Sequence, residues 1–152
     1  MIKLLRVDDR LIHGQVAVSW TSYLGADTIV VANDKAITDK LMQMAFNMAK
    51  PPQAVLSIKS LDGAVAAART IFVVTASVED ARYLMGKCPS ITNLCVGGVR
   101  QAPGKKMVER QVYLDGRDMK GLEEIHAMGK DVYLQAVPTE KKLSYEDIVK
   151  EY

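Results

Sequence analysis

Short apolar runs alternate with helix-like patterns of apolar residues along the whole chain. Most runs are continuous and rich in Val, Ile and Leu, as in strands that helices cover on both faces. They predict strands over roughly 2–8, 28–33, 53–58, 71–75, 92–96, 111–114 and 132–137. This alternation predicts an α/β fold: an open, mainly parallel β-sheet with helices on both faces and right-handed crossovers.

Between the strands, apolar residues recur at helical spacing. One set is Leu41, Met44, Ala45 and Met48, and another is Val78, Ala81 and Met85. A third set, Tyr145, Ile148, Val149 and Tyr152, predicts a short closing helix. Its N-cap would be Ser144, with Asp147 in the capping-box position. Most of the eight methionines fall on such faces, and we interpret them as core filling.

The bulk properties are those of one ordinary domain over residues 1–152. The length of 152 residues is sufficient for a substantial core, and no linker, repeat or low-complexity tract divides the chain. A formal net charge of +2 is too small to argue for a nucleic-acid partner. The apolar runs are too short to cross a bilayer, and the N-terminus does not resemble a signal peptide. We therefore expect a cytoplasmic protein that reaches a membrane only through partners, without inserting into it.

The two cysteines, Cys88 and Cys95, lie seven residues apart and form no C-x-x-C pattern. A disulfide between them is possible on sequence grounds, but two reduced cysteines are the favoured interpretation. Metal-ligand spacing is absent around them, so we predict no metal site and no cofactor.

Polar residues and glycines follow several predicted strands, where ligands of open α/β sheets bind. They are Asp8 to His13 after the first strand, Asn33-Asp34 after the second, Thr75 to Ser77 after the fourth and Gly97-Gly98 after the fifth. The set includes a nucleophile, hydroxyl groups, an amide and a glycine pair. Such groups are suitable for holding a phosphoryl group.

The first loop carries the most informative residues. His13 lies where a strand turns into a helix, beside amides at the positive end of the helix dipole. A neutral imidazole is a competent nucleophile near pH 7, and Arg10 can offer paired donors to phosphate oxygens. Gly14 allows backbone to approach the phosphate, and the amides of Gly14 and Gln15 can bind it. The alternatives are a capping histidine or a loop histidine with its hydrogen bonds satisfied, a surface arginine paired with Asp8 or Asp9, and an exposed first-turn glutamine.

The remaining candidates each allow more than one role. Asp8 and Asp9 are unfavourable beside a phosphate, so we expect them to orient Arg10 or bind loop amides. A direct catalytic role for either carboxylate is the alternative. Gly97 and Gly98 form either a backbone cradle for phosphate or the turn that ends a strand. Thr75 is a candidate to line the pocket with its hydroxyl. For Ser77 in the same loop, helix capping is the stronger interpretation.

The stretch from Val99 to Arg110 is long for an α/β connection and strongly basic. Long loops are more often functional than not, so this basic loop is a candidate to dock a partner or to close over phosphate. Arg100 and Lys105 are the candidates for docking a partner. Simple solvated charge is the alternative. The second histidine, His126, falls in a helical pattern and is interpreted as a partly exposed helix residue.

The segment from Arg6 to Val16, RVDDRLIHGQV, closely resembles the signature of one family. That family is the phosphocarrier IIB subunit of the mannose/fructose/sorbose class of the bacterial sugar phosphotransferase system. Weaker supports follow in the expected order: Lys50-Pro51-Pro52, Val96-Gly97-Gly98 and Val137-Pro138-Thr139-Glu140-Lys141-Lys142.

The resemblance implies a phosphohistidine–sugar phosphotransferase activity. The histidine matching His13 would receive a phosphoryl group on Nδ1 from a IIA protein or domain. It would pass the group to a sugar bound by the IIC/IID membrane subunits. The sugar itself is not predicted, because the membrane subunits are expected to select it.

Other classes of function make different demands on the residues. A response-regulator receiver domain would use the acidic pair Asp8-Asp9, but it needs an aspartate after the third strand and a lysine after the fifth. The chain has Ser57-Ile58-Lys59 and Gly97-Gly98 there, so this class is excluded. A non-catalytic module binding a phosphorylated metabolite stays open, as does a scaffolding subunit. No Gly-rich nucleotide-binding motif supports a nucleotide ligand.

Overall fold

The computed structural model describes residues 1–66 and 71–152. Its strands are β1 (Ile2–Asp8), β2 (Thr28–Ala32), β3 (Val55–Lys59), β4 (Ile71–Thr75), β5 (Asn93–Gly98), β6 (Lys106–Glu109), β7 (Val112–Leu114), β8 (Asp131–Leu134) and β9 (Leu143–Ser144). Its α-helices are α1 (Gly14–Leu24), α2 (Lys40–Ala49), α3 (Val78–Lys87), α4 (Gly116–Ala127) and α5 (Tyr145–Glu151). A 3₁₀ helix covers Asp62–Ala66.

Seven strands form one sheet in the order β3-β2-β4-β1-β5-β8-β9. All neighbours pair in parallel except β8 and β9, which are antiparallel. The helices cover both faces: one hydrophobic cluster includes residues of α1 and α2, and the other includes residues of α3, α4 and α5. The predicted fold class, an open and mainly parallel α/β sheet, is therefore confirmed.

The polar connection between β5 and α4 contains a hairpin that the apolar pattern predicted only in part. The predicted strand at 111–114 exists as β7, but it pairs with β6 in a separate antiparallel sheet. β6 lies in a segment that the apolar pattern predicted as loop, because Val108 is its one buried residue and Lys106, Met107 and Glu109 are exposed. The two-residue strand β9 is too short to produce a pattern.

The prediction that the apolar face of α2 packs into the core is wrong. Leu41, Met44 and Met48 are exposed, and Phe46 is the buried residue of this helix. These side chains are exposed because α2 packs at the β2–β3 margin of the sheet, where Phe46 is the side chain that reaches the core. The interpretation of the methionines as core filling fails with it, although Met85 on α3 is buried as expected.

The closing helix α5 follows the prediction. Ser144 accepts a hydrogen bond from the Asp147 amide at 3.2 Å, and the Asp147 carboxylate accepts one from the Ser144 amide at 3.2 Å, which completes a capping box. Within residues 1–66 and 71–152, no helix has the length and apolar character needed to span a bilayer.

The sheet has a topological switch point between β1 and β5, which are neighbours. After β1 the chain crosses through α1 toward β2 on one side, and after β5 it continues through α4 toward β8 on the other. Since α1 and α4 lie on opposite faces, a crevice opens beyond the carboxyl ends of these two strands. Both the first loop and the β5–β6 connection begin there.

Candidate functional site

The loop between β1 and α1 is anchored by its apolar residues and exposes its histidine. Leu11 and Ile12 are buried, whereas the side chain of His13 is 22% exposed. Leu11 has a φ of 58° and Gly14 a φ of 42°, so the chain turns sharply on both sides of the histidine. His13 itself has extended backbone, as an N-cap residue does, but its side chain does not cap α1. The capping interpretation of His13 is therefore wrong.

Asp8 lies at the centre of the site. Its carboxylate is completely buried and accepts three hydrogen bonds: from His13 Nε2 at 2.9 Å, from the Arg10 amide at 3.2 Å and from Arg6 Nη2 at 3.2 Å. Asp8 thus binds a loop amide and holds the imidazole, the second of which the sequence analysis did not foresee.

Arg6 is the residue that the sequence analysis missed. Its side chain is 2% exposed, and besides Asp8 it donates from Nη1 to the Gln135 carbonyl at 2.9 Å and to Cys95 Sγ at 3.4 Å. Its guanidinium also lies over the Trp20 ring, 5.4 Å from the centroid. A buried arginine with these partners supplies the charge that a buried aspartate requires.

Gly97 makes room for this guanidinium. A Cβ atom built on Gly97 would lie 1.8 Å from Arg6 Cζ, and one on Gly98 would lie 3.0 Å from Asp8 Oδ1. The glycine pair therefore ends β5 within the sheet and accommodates two buried charged side chains. This explanation differs from both a turn and a phosphate cradle, and a contact with phosphate stays a prediction.

The protonation state of Asp8 follows from its surroundings. Burial alone would raise the pKa of Asp8. The hydrogen bond from His13, the charges of Arg6 and His13 and the Arg10 amide outweigh burial and lower the pKa below the usual 3.8. An ionised carboxylate only accepts hydrogen bonds, so His13 Nε2 carries the proton in this contact. The neutral ring then has its lone pair on Nδ1.

Cationic and dipolar groups surround the ring. The Arg10 side chain is 44% exposed, and its Nε lies 3.8 Å from Asp8 Oδ1. The helices α2, α3, α4 and α5 have capping side chains, from Asp39, Ser77, Asp115 and Ser144. In contrast, α1 has neither a side-chain cap nor an acidic residue in its first turn. Its N-terminal amides, which include Gly14 and Gln15, are open to an anion.

The β5–β6 connection is tied to the first loop. The Asp9 carboxylate accepts hydrogen bonds from the Arg100 amide at 2.8 Å and from Arg100 Nε at 3.0 Å. Lys105 forms ion pairs with Asp115 and Asp118 at the start of α4, and its side chain is 18% exposed. Asp9 thus orients this connection, whereas Lys105 is directed to α4. Partner docking by Arg100 and Lys105 stays a prediction.

The other predicted residues differ in their solvent exposure. Gln15 is exposed on the first turn of α1. Thr75 is completely buried, with its hydroxyl 3.5 Å from the Ser77 carbonyl, so the structure does not bring it to the open side of the site. Ser77 caps α3 by accepting from the Asp80 amide, as expected. His126 is exposed and stacks on Tyr145 at 4.1 Å.

Among the described residues, the site has neither a side-chain cluster suited to a metal ion nor a disulfide. In the described residues, no group of three His, Cys, Asp or Glu side chains has the geometry to hold a metal ion. Cys88 and Cys95 are both free and buried. Burial raises the pKa of the Cys95 thiol to about 11, so it contacts Arg6 as a neutral group.

These features define an open α/β domain with an oriented, partly exposed histidine beside its switch point. A family model described as the PTS system sorbose subfamily IIB component matches residues 2–152, and the chain belongs to this family. It is a IIB component of a sugar phosphotransferase system.

Two relatives and one solved structure illustrate the relationship. The sorbose-specific EIIB component of Klebsiella pneumoniae is 30% identical over 99% of this chain and 96% of its own length. The crystal structure of the IIBSor domain of the sorbose permease from Klebsiella pneumoniae has a TM-score of 0.92 at 30% identity, covering 99% of this chain and 97% of that chain. The mannose-specific EIIAB component of Escherichia coli is 28% identical over 98% of this chain, which matches 48% of that protein's length.

Proposed function

We propose that this chain is a phosphocarrier that accepts a phosphoryl group on Nδ1 of His13 from a IIA protein or domain. It then transfers the group to a sugar bound at a IIC/IID membrane permease. The observation that carries the proposal is the 2.9 Å contact between His13 Nε2 and Asp8, which reserves Nδ1 for reaction. We place the protein in the cytoplasm, associated with the permease through its partners.

The proposed transfer has two steps, in which His13 is first the nucleophile and then the leaving group. The Nδ1 lone pair attacks the phosphorus of the donor, and the donor's P–N bond breaks with its electrons returning to the donor ring. A phosphorylated ring that keeps its Nε2 proton is cationic, so the ionised Asp8 carboxylate stabilises it. A sugar hydroxyl oxygen then attacks the phosphorus and Nδ1 departs with the bonding electrons. The hydroxyl proton passes to a base of the permease or to water.

Charge stabilisation is assigned to the groups that surround the ring. Arg10 is exposed enough to turn toward phosphoryl oxygens, and the uncapped amides at the start of α1 add fixed partial positive charge. The IIA partner is supported by the EIIAB relative, whose name joins the A and B components. One partly exposed histidine must serve two partners in turn, so each complex should be transient.

The test is the intact mass of the protein after incubation with phosphoenolpyruvate, the two general phosphotransfer proteins and a IIA protein. We expect one acid-labile phosphate on the wild type and none on a folded His13→Ala variant. His126→Ala is the matched control, because it removes the other histidine, and it should be phosphorylated like the wild type. A phosphate that persists in His13→Ala would contradict the proposal. So would failure of the wild type with several phosphorylated IIA proteins.

A further inference from the structure

An open pocket of about 370 Å³ lies beyond the carboxyl ends of β1 and β5, at the switch point of the sheet. We call it the switch-point pocket. Its distinctive lining residues are Arg10, Arg100, Gln101, Arg110, Gln111 and Tyr113. Arg10 belongs also to the first loop, but most of the lining comes from the β5–β6 connection and the β6–β7 hairpin. Apart from Arg10, the proposed phosphotransfer chemistry does not use these residues.

The charges of this pocket favour an anion. Three arginines line it against one carboxylate, that of Asp9, which already accepts two hydrogen bonds from Arg100. Arg110 is exposed on the hairpin turn. One guanidinium group can donate two parallel hydrogen bonds to the oxygens of a phosphate. Three arginine side chains around one opening are therefore suited to a phosphate monoester.

The remaining lining favours a hydroxyl-rich ring attached to that phosphate. The side chains of Gln101 and Gln111 offer amide donors and acceptors, and Tyr113 and Val99 present apolar surface. Sugar rings combine these properties, with hydroxyls at the rim and C–H groups on the face. A volume of about 370 Å³ is at the low end for small-molecule pockets, which suits one sugar ring with its phosphate.

The backbone beside the pocket adopts an energetically unfavourable conformation. Gln111 has a φ of 73°, a left-handed conformation that is unfavourable for a residue with a side chain. It is maintained because the Gln111 carbonyl accepts from the Val99 amide and the Tyr113 amide donates to the Val99 carbonyl, both at 3.0 Å. Strain of this kind is concentrated at functional sites. Here the two hydrogen bonds hold the strained hairpin turn against the end of β5.

We propose that the switch-point pocket binds a sugar phosphate. Because Arg10 lines the pocket and lies in the loop of His13, bound sugar phosphate competes with phosphorylation of the histidine. This regulatory consequence rests on the proposed function, since a sugar phosphate is then the product of the pathway's transfer step. The binding itself does not depend on that function.

The binding test is titration calorimetry of the full chain with glucose 6-phosphate, and separately with glucose and with inorganic phosphate. We expect glucose 6-phosphate to bind at least about tenfold more tightly than glucose or inorganic phosphate. Only the whole molecule contacts both the arginines and the surface that binds the sugar ring. Equal affinity for glucose 6-phosphate and inorganic phosphate would overturn the proposal. The absence of measurable binding at millimolar glucose 6-phosphate would also overturn it.

Variants localise the site. Arg110→Gln should weaken binding of glucose 6-phosphate by at least about tenfold, and Tyr113→Leu should reduce the preference over inorganic phosphate. Arg82→Gln makes the same change of charge at a half-exposed arginine that pairs with Glu124 across α3 and α4, and it should bind like the wild type. Unchanged binding by folded Arg110→Gln would overturn the assignment to this pocket.

A second measurement separates the two proposals. His13→Ala should keep its affinity for glucose 6-phosphate while it loses phosphorylation, because His13 does not line the pocket. If the wild type binds glucose 6-phosphate but no IIA protein phosphorylates it, the phosphocarrier proposal fails and the pocket stands. If the wild type is phosphorylated at a rate that saturating glucose 6-phosphate does not change, the competition fails even where the ligand binds.

Discussion

At the scale of single residues, the site depends on a charge that is expensive to bury. Removing the Asp8 carboxylate from water is the largest effect on its ionisation and opposes the charged form. Three donors from the same short segment, Arg6, Arg10 and His13, reverse that balance. Breaking such a buried arrangement on one side typically costs about 3–5 kcal/mol, because the partner charge is left uncompensated.

Replacing Asp8 by Asn should therefore destabilise the protein by about 3–5 kcal/mol at pH 7. The pKa of Asp8 in the folded protein is below its usual value of 3.8. The stabilisation from its ionised form is thus fully present above pH 3.8 and is lost as the pH falls through the lower folded pKa. We expect the difference between wild type and Asp8→Asn to shrink below pH 3.8. Urea unfolding at several pH values measures this.

Asp131→Asn is the control for the Asp8 variant. Asp131 pairs with Lys142 at 3.1 Å on the surface, where both side chains are about half exposed. Exposed pairs contribute about 0–1 kcal/mol, so this variant should remain close to the wild type. A stability difference for Asp8→Asn that stays constant from pH 7 to below pH 3.8 would contradict the assignment of an ionised Asp8.

Part of this constellation could be predicted from the sequence. His13, Arg10 and Asp8 lie in one short segment, so their proximity required no knowledge of the fold. Arg6 was missed because it stands between Leu5 and Val7 in an apolar run, where an arginine gives no sign of what it contacts. Its partners Cys95 and Gln135 are about 90 and 130 positions away, and only the strand order brings them together.

At the scale of elements, the pairing of β1 with β5 produces the space that the buried arginine occupies. In this parallel pair Arg6 lies opposite Cys95 and Asp8 lies opposite Gly98, so Gly97 is adjacent to both charged residues. The missing side chain at Gly97 is thus a consequence of register. The glycine pair alone indicated a turn or a cradle, because a sequence does not reveal which strand lies beside it.

Gly97→Ala tests this packing directly. A Cβ atom would overlap the Arg6 guanidinium, which is held from three sides and has little room to move. We expect a loss of about 1–3 kcal/mol, the usual effect of overpacking. Because Arg6 would be displaced from Asp8, phosphorylation of His13 should also slow. Chemical denaturation and the phosphorylation assay measure the two effects.

Gly86→Ala provides the matched comparison. Gly86 lies on the exposed side of α3, and a Cβ atom there would contact nothing within 4 Å. The same substitution in a helix is favourable, so this variant should gain about 0.5–1 kcal/mol. If both alanine variants were equally stable, Arg6 would not occupy the space beside Gly97 in solution.

The helices show how far periodicity alone can predict packing. It predicted α3 correctly because that helix lies over the middle of the sheet and buries its whole apolar side. It failed for α2, where the same spacing of Leu41, Met44 and Met48 faces solvent. The apolar pattern was similar in both. The difference is the extent of sheet beneath each helix, which depends on strand order.

At the scale of the whole molecule, strand order determines which loops meet. β1 and β5 are adjacent although more than 80 residues separate them, and their connections leave in opposite directions. This arrangement places the first loop and the β5–β6 connection at one opening. The sequence predicted that ligands bind at the carboxyl ends of the strands, but it did not predict which two ends form the crevice.

Because β1 lies in the middle of the sheet, stability should be unevenly distributed. The strands β4 and β5 flank β1 on both sides, and Leu5 and Val7 are completely buried between them and the helices. By contrast, three of the four residues of β6 are exposed, and β6 pairs with β7 alone. Amides with few buried contacts open by local fluctuation, whereas central amides exchange only on global unfolding.

Hydrogen exchange followed by NMR should therefore show slow exchange for the amides of β1 and β5. The hydrogen-bonded amides of β6 should exchange at least about tenfold faster, which corresponds to about 1.4 kcal/mol less opening free energy. Glucose 6-phosphate should slow the exchange of β6 more than that of β1, because the hairpin forms one wall of the switch-point pocket. Equal protection of β6 and β1 without ligand would mean that the hairpin opens only with the whole molecule. The pocket would then be a preformed and rigid cavity.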